Sequence, residues 1–67
     1  MTRYYLVYRT HAVSDAIPIS KLLGIYVSLM DARRFLDLEE SPYYTYSIRE
    51  VITDKEGRVQ NDTPITY

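Results

Sequence analysis

Between Ser28 and Pro42 the chain has room for one amphipathic helix, and everything on either side must be arranged around it. Ser28-Leu29-Met30-Asp31 carries the start signal. A serine hydroxyl there can accept from the amide three residues on, and Asp31 lies where a negative charge favours the helix dipole. From Leu29 to Glu39 nothing breaks a helix, and Leu29, Ala32, Phe35 and Leu36 fall on one apolar stripe that must lie on something. Arg33, Arg34, Asp37 and Glu40 fall outside that stripe and belong in water. Met30 and Leu38, also off the stripe, imply a second, partly covered flank. Ser41-Pro42 ends the helix, because proline disfavours helical geometry in the residue before it.

Both neighbours of the helix read as strands. Leu22-Leu23-Gly24-Ile25-Tyr26-Val27 is apolar, β-rich and too short for an independent helix. Tyr43 to Ile52 has high β propensity, with Tyr44, Tyr46, Ile48 and Ile52 on one face. The opposite face carries Tyr43, Thr45, Ser47, Arg49 and Val51, so the first and more apolar set is turned toward the helix. Asp54-Lys55-Glu56-Gly57 then predicts a hairpin with a bulge, the glycine taking the left-handed position. Arg58 to Asn61 returns as a short polar edge strand, and residues 62–67 read as a tail because Pro64 suits no central strand.

At the other end, Arg3 to Arg9 is the first strand. Tyr4, Leu6 and Tyr8 share one face and Tyr5, Val7 and Arg9 the other. Both faces are fairly apolar, which suits a central position. Thr10 to Ser20, interrupted by Pro18 and with a turn signal at Ser14-Asp15, reads as a long loop. The expected fold is therefore a single α+β domain over residues 1–67. It has a four-stranded, mainly antiparallel sheet in the sequence order β-β-α-β-β and the spatial order 2-1-3-4, with one helix on one face.

A chain of 67 residues is near the lower limit for a self-sufficient core, burying only about 60% of its unfolded surface. It has no cysteine to staple it, so self-association as a homodimer is the expected aid. The absence of cysteine also fits a reducing compartment, and no charged-then-apolar leader opens the sequence, so the expected location is the cytoplasm. No apolar run approaches the roughly 20 residues that span a bilayer. A net charge of -1 argues against a general electrostatic grip on nucleic acid or anionic lipid.

The chemistry-bearing candidates are sparse. Gly24-Ile25-Tyr26 matches the first half of the GIY-YIG nuclease signature, but the second half and the arginine and glutamate set are missing, leaving a glycine in a strand before a helix. His11 is the single histidine and has no cysteine or second histidine to join in holding a metal. Glu39-Glu40 with Asp37 sits at a helix end, solvated, without the burial that raises a carboxyl pKa for acid catalysis. Asn61-Asp62-Thr63 matches a glycosylation sequon that, without a leader, would not meet the machinery. With no nucleophile–base pair and little room for a closed pocket, no enzyme, cofactor or metal site is expected.

Eight tyrosines are the compositional oddity. They can serve as core and cross-strand residues of a small sheet. Alternatively Tyr5, Tyr26 and Tyr43, joined by Tyr67, form an aromatic platform on an open sheet face, for a protein partner or for stacked nucleobases.

The run Gly24 to Leu36 followed by Tyr46-Ser47-Ile48-Arg49-Glu50-Val51 resembles a recurrent pattern among short phage and prophage proteins. In these a strand enters "(S/T)-x-x-(D/E)-A" and a helix, then "Y-S-I-x-x-V" and a hairpin. The resemblance covers residues 22 to 60 and implies a context: proteins of this kind act by binding a host or phage protein. The expectation is thus a non-enzymatic interaction module. Its surface would hold Tyr5, Tyr26, Tyr43, Arg9 and Arg49, edged by His11 and Asp15. The alternative is a nucleic-acid module using the same face with Arg3, Arg9 and Arg49.

Overall fold

A computed structural model describes residues 1–11 and 19–65 of the chain. Strand β1 (Thr2–His11) and strand β2 (Ile19–Tyr26) precede helix α1 (Leu29–Glu39), and β3 (Thr45–Thr53) and β4 (Val59–Ile65) follow it. All three strand pairs are antiparallel, and the sheet order is β2-β1-β3-β4, as expected. β1, the strand with apolar residues on both faces, lies in the middle beside β3.

The helix begins where its cap predicts. Ser28 is extended (φ -121°, ψ 129°) and its hydroxyl accepts from the Asp31 amide at 3.4 Å, satisfying one of the donors that a helix start leaves unpaired. Its end is held differently. The Tyr46 hydroxyl on β3 donates to the Glu39 carbonyl at 2.8 Å, so a strand side chain satisfies one of the last helical carbonyls. Ala32 and Leu36 are buried and Leu29 and Phe35 half-buried against the sheet, which confirms the stripe. Met30 and Leu38 are 69% and 83% exposed, so the second covered flank does not exist.

The core is small and lies on one side of the sheet. Tyr5, Val7 and Ile48 from the two central strands meet Ala32 and Leu36 from the helix. Val7 and Ile48 are directly paired in register, and both are fully buried. On β2, Gly24 lies opposite Val7, and a Cβ there would stand 3.0 Å from the Tyr26 ring. The missing side chain lets Tyr26 fold back along its strand and meet Phe35 of the helix, ring centroids 5.7 Å apart. Leu23, the extra residue of a bulge opposite Val7 and Tyr8, adds to the same packing.

The β3–β4 hairpin forms as expected, with Gly57 at φ +83°. Asp54 organises it: one carboxylate oxygen accepts from the Glu56 and Arg58 amides, each at 2.9 Å, and the other from Gln60 Nε2 at 3.1 Å. Residues 62–65, expected to be tail, belong to β4, with Pro64 opposite Arg49. A proline is tolerated there because β4 is an edge strand whose outer side needs no donor.

With so few buried side chains, each one matters. Leu36→Ala is expected to cost about 2–5 kcal/mol, most of the stability of a domain this size. Tyr46→Phe, which removes only the hydroxyl over the helix end, is expected to cost about 1 kcal/mol. Urea unfolding followed by circular dichroism measures both, and equal losses would contradict this picture of the core.

Candidate interaction surface

Strand alternation combined with register sorts every described strand residue to one side of the sheet. The helix side holds Tyr5, Val7 and Arg9 of β1, paired with Tyr26, Gly24 and Lys21 of β2 and with Glu50, Ile48 and Tyr46 of β3. The other side holds Tyr4, Leu6 and Tyr8. One row crosses all four strands there: Ile25, Leu6, Arg49 and Pro64 are successive cross-strand neighbours. Tyr4 pairs with Val51 and Tyr8 with Leu22 on either side of that row. No described helix or strand covers this open face, and Ile25 and Leu22 remain 58% and 42% exposed.

This placement corrects the expected platform. Tyr5 is 8% exposed and belongs to the core under the helix, and Tyr26 packs on Phe35. Neither lies on the open face. Tyr43 is exposed but occupies the turn between α1 and β3, beyond the strand in which it was expected. Among the described residues of the expected surface, Arg49 is the one that the open face carries. Asp15 and Tyr67 lie outside the described residues. The residues that do make up the open face were legible as a strand face, Tyr4-Leu6-Tyr8, but not as the uncovered one.

Charge on the open face is confined and cancelled. Among the strand residues directed to that side, Arg49 and Asp62 are the charged ones, and they pair with each other: Arg49 Nε donates to Asp62 Oδ1 at 2.7 Å. A second, longer bond runs from the guanidinium to the Asp62 carbonyl at 3.5 Å. The arginines of the nucleic-acid alternative are therefore divided. Arg3 stands over Glu50 at 3.8 Å on the helix side, and Arg9 is also on that side.

Arg9 instead enters a cleft of about 210 Å³ at the end of the sheet, lined by Arg9, His11, Ile19, Lys21 and Tyr44. Its guanidinium stacks 4.3 Å above the Tyr44 ring, and His11 meets the same ring at 5.4 Å. The sequence places Tyr44 only on the helix-facing side, and leaves Lys21 unassigned, since only strand register brings Lys21 opposite Arg9. Among the described residues no group of three or more His, Cys, Asp or Glu side chains is placed to hold a metal, and no helix is long and apolar enough to cross a membrane. Glu39 and Glu40 are exposed at the helix end.

Comparison with known protein families, with curated proteins and with solved structures finds no match for the chain.

Two tyrosine substitutions separate core from surface. Tyr26→Ala is expected to lower stability by about 2–3 kcal/mol, because it removes the ring that covers Gly24 and supports Phe35. Tyr43→Ala is expected to stay within about 0.5 kcal/mol of the parent. Thermal melts would contradict the assignment if the two tyrosines behaved alike.

Proposed function

We propose that this chain is a small non-enzymatic interaction module that works by seating another protein on the open face of its sheet. The observation that carries the reading is the composition of that face. Tyr4, Leu6, Tyr8, Leu22, Ile25 and Val51 form a contiguous apolar surface, and the one ion pair among its described strand residues is closed internally. Surfaces of this kind, large, apolar and free of net charge, mark protein contacts on soluble domains. Tyrosines among aliphatic neighbours are the usual anchors of such contacts, since they bury much area with few rotamers.

The resemblance to short phage and prophage proteins supports the same class of action and a setting in which the partner belongs to phage or host. The division of Arg3, Arg9 and Arg49 between the two sides weakens the nucleic-acid alternative, because phosphate binding depends on gathered cations. Self-association follows from the size argument, and action in the cytoplasm remains part of the proposal.

Affinity capture with matched surface variants tests it. Ile25→Arg places a charge on the open face, and Met30→Arg places one on the exposed back of the helix. Loss of captured protein with Ile25→Arg alone is the expected result. Equal capture by both variants, each folded by circular dichroism, would contradict the reading.

A further inference from the structure

The geometry points to a separate binding site, for a phosphate monoester, in the cleft at the end of the sheet. This cleft lies on the helix side, so the inference does not depend on the open face or on what is seated there. Its lining is Arg9, His11, Ile19, Lys21 and Tyr44, with no residue from the helix. Register sets Arg9 directly opposite Lys21 and His11 opposite Ile19. Like charges facing each other across two strands oppose the pairing. Arg3, Arg49 and Arg58 each reach a carboxylate, at 3.8, 2.7 and 2.8 Å. Among the described residues no carboxylate pairs with Arg9 or Lys21. Arg33, Arg34 and Lys55 are exposed to water, whereas Arg9 is half-buried beside a second cation. A bound anion would relieve that repulsion.

The donors are ordered before any ligand arrives. The Arg9 guanidinium stacks 4.3 Å above the Tyr44 ring. A stacked guanidinium uses its face and keeps its in-plane N–H groups for an anion, in the fork geometry that suits phosphate oxygens. Tyr44 is fixed in turn. Its ring meets that of Tyr46 edge-on, centroids 6.4 Å apart, and the Tyr46 hydroxyl is tied to the Glu39 carbonyl at 2.8 Å. His11 stands on the same Tyr44 ring at 5.4 Å. A line of contacts therefore runs from the helix end to the cleft, and such preorganisation lowers what binding costs. Lys21 adds a point charge from the neighbouring strand, and Ile19 an apolar wall.

Size and charge choose the ligand. The cleft holds about 210 Å³, less than the roughly 300–1,000 Å³ of a pocket that encloses a whole drug-sized molecule. It takes one group and leaves the rest of the ligand outside. Arg9 and Lys21 are both cations, and a phosphate monoester, with a charge of about -1.5 to -2 near neutral pH, offsets both. A carboxylate or a phosphodiester carries a single negative charge and leaves part of the repulsion in place. A nucleic-acid groove would need cations spaced along a backbone. Here Arg3 is taken by Glu50, and Arg49 lies on the other side of the sheet. The monoester would be carried on a phosphorylated protein side chain or on a small phosphorylated molecule.

NMR titration of the isotopically labelled full chain with phenyl phosphate, at constant ionic strength, tests the inference. Saturable shifts at the Arg9 Nε–H, His11 and Tyr44 are expected, with benzoate and dimethyl phosphate binding about 10-fold more weakly or worse. Lys21→Glu is expected to weaken phenyl phosphate binding by about 10-fold or more, the worth of one charge-assisted contact. It also turns a repulsive cross-strand pair into an attractive one, so the unliganded variant is expected to melt at a higher temperature than the wild type. A loss of binding with a raised melting temperature separates the site from a failure to fold. Lys55→Glu makes the same change of charge at an exposed position in the β3–β4 turn and is expected to alter neither reading. Tighter binding of a phosphotyrosine peptide than of phenyl phosphate would support the site and assign the group to a protein; binding no tighter would support it and assign the group to a small molecule. The absence of a saturable shift, equal affinity for dimethyl phosphate, or equal weakening by Lys21→Glu and Lys55→Glu would overturn the inference.

Discussion

The contact of Ala32 and Leu36 with Val7 and Ile48 fixes the rest of this molecule. It is the point where the helix stripe meets the two central strands, and it contains most of the fully buried side chains. Because strand residues alternate, choosing Val7 for the inside also chooses Tyr5 for the inside, and sends Tyr4, Leu6 and Tyr8 out. Gly24 then finds itself under Tyr26, and the tyrosine reaches Phe35 across the space that the glycine leaves. The Tyr46 hydroxyl anchors the far end of the helix on Glu39. One helix can cover only part of one side of a four-stranded sheet, so no described helix or strand covers the other, apolar side.

Much of this could be read before any coordinates. Ser28 and Pro42 bracket the helix because capping and proline geometry are local effects. Gly57 predicts its own turn for the same reason. Strand order followed from a simple physical preference: a strand with two apolar faces belongs in the middle. What escaped was the direction in which β1 faces. Tyr4-Leu6-Tyr8 and Tyr5-Val7-Arg9 are nearly equal in apolar character, so alternation alone could not choose between them. The register Val7 to Ile48 decides, and register is a pairing between distant segments that one strand does not contain. Once Ile48 is placed toward the helix, Val7 and Tyr5 must follow. Tyr26 had a local clue that went unused, since an aromatic residue two positions after a strand glycine can lie over it.

The error about Pro64 has a different origin. Pro64 by itself predicts the end of ordered structure, yet an edge strand tolerates proline, and β4 is an edge. The consequence reaches the surface, because Asp62 on that strand is the partner that neutralises Arg49. Without residues 62–65 in the sheet, Arg49 would stand as a lone cation on an apolar face. With them, the described strand residues of that face carry no net charge.

The central claim is that the helix seals one side of the sheet and that no described helix or strand covers the other. Methyl NMR with a soluble paramagnetic agent tests it most directly, by comparing Val7 and Ile48 with Leu6 and Ile25 in dilute solution. The account predicts that the Val7 and Ile48 methyls are protected from the agent, while those of Leu6 and Ile25 are reached by it. Broadening of the Val7 and Ile48 methyls to the same degree as those of Leu6 and Ile25 would contradict it.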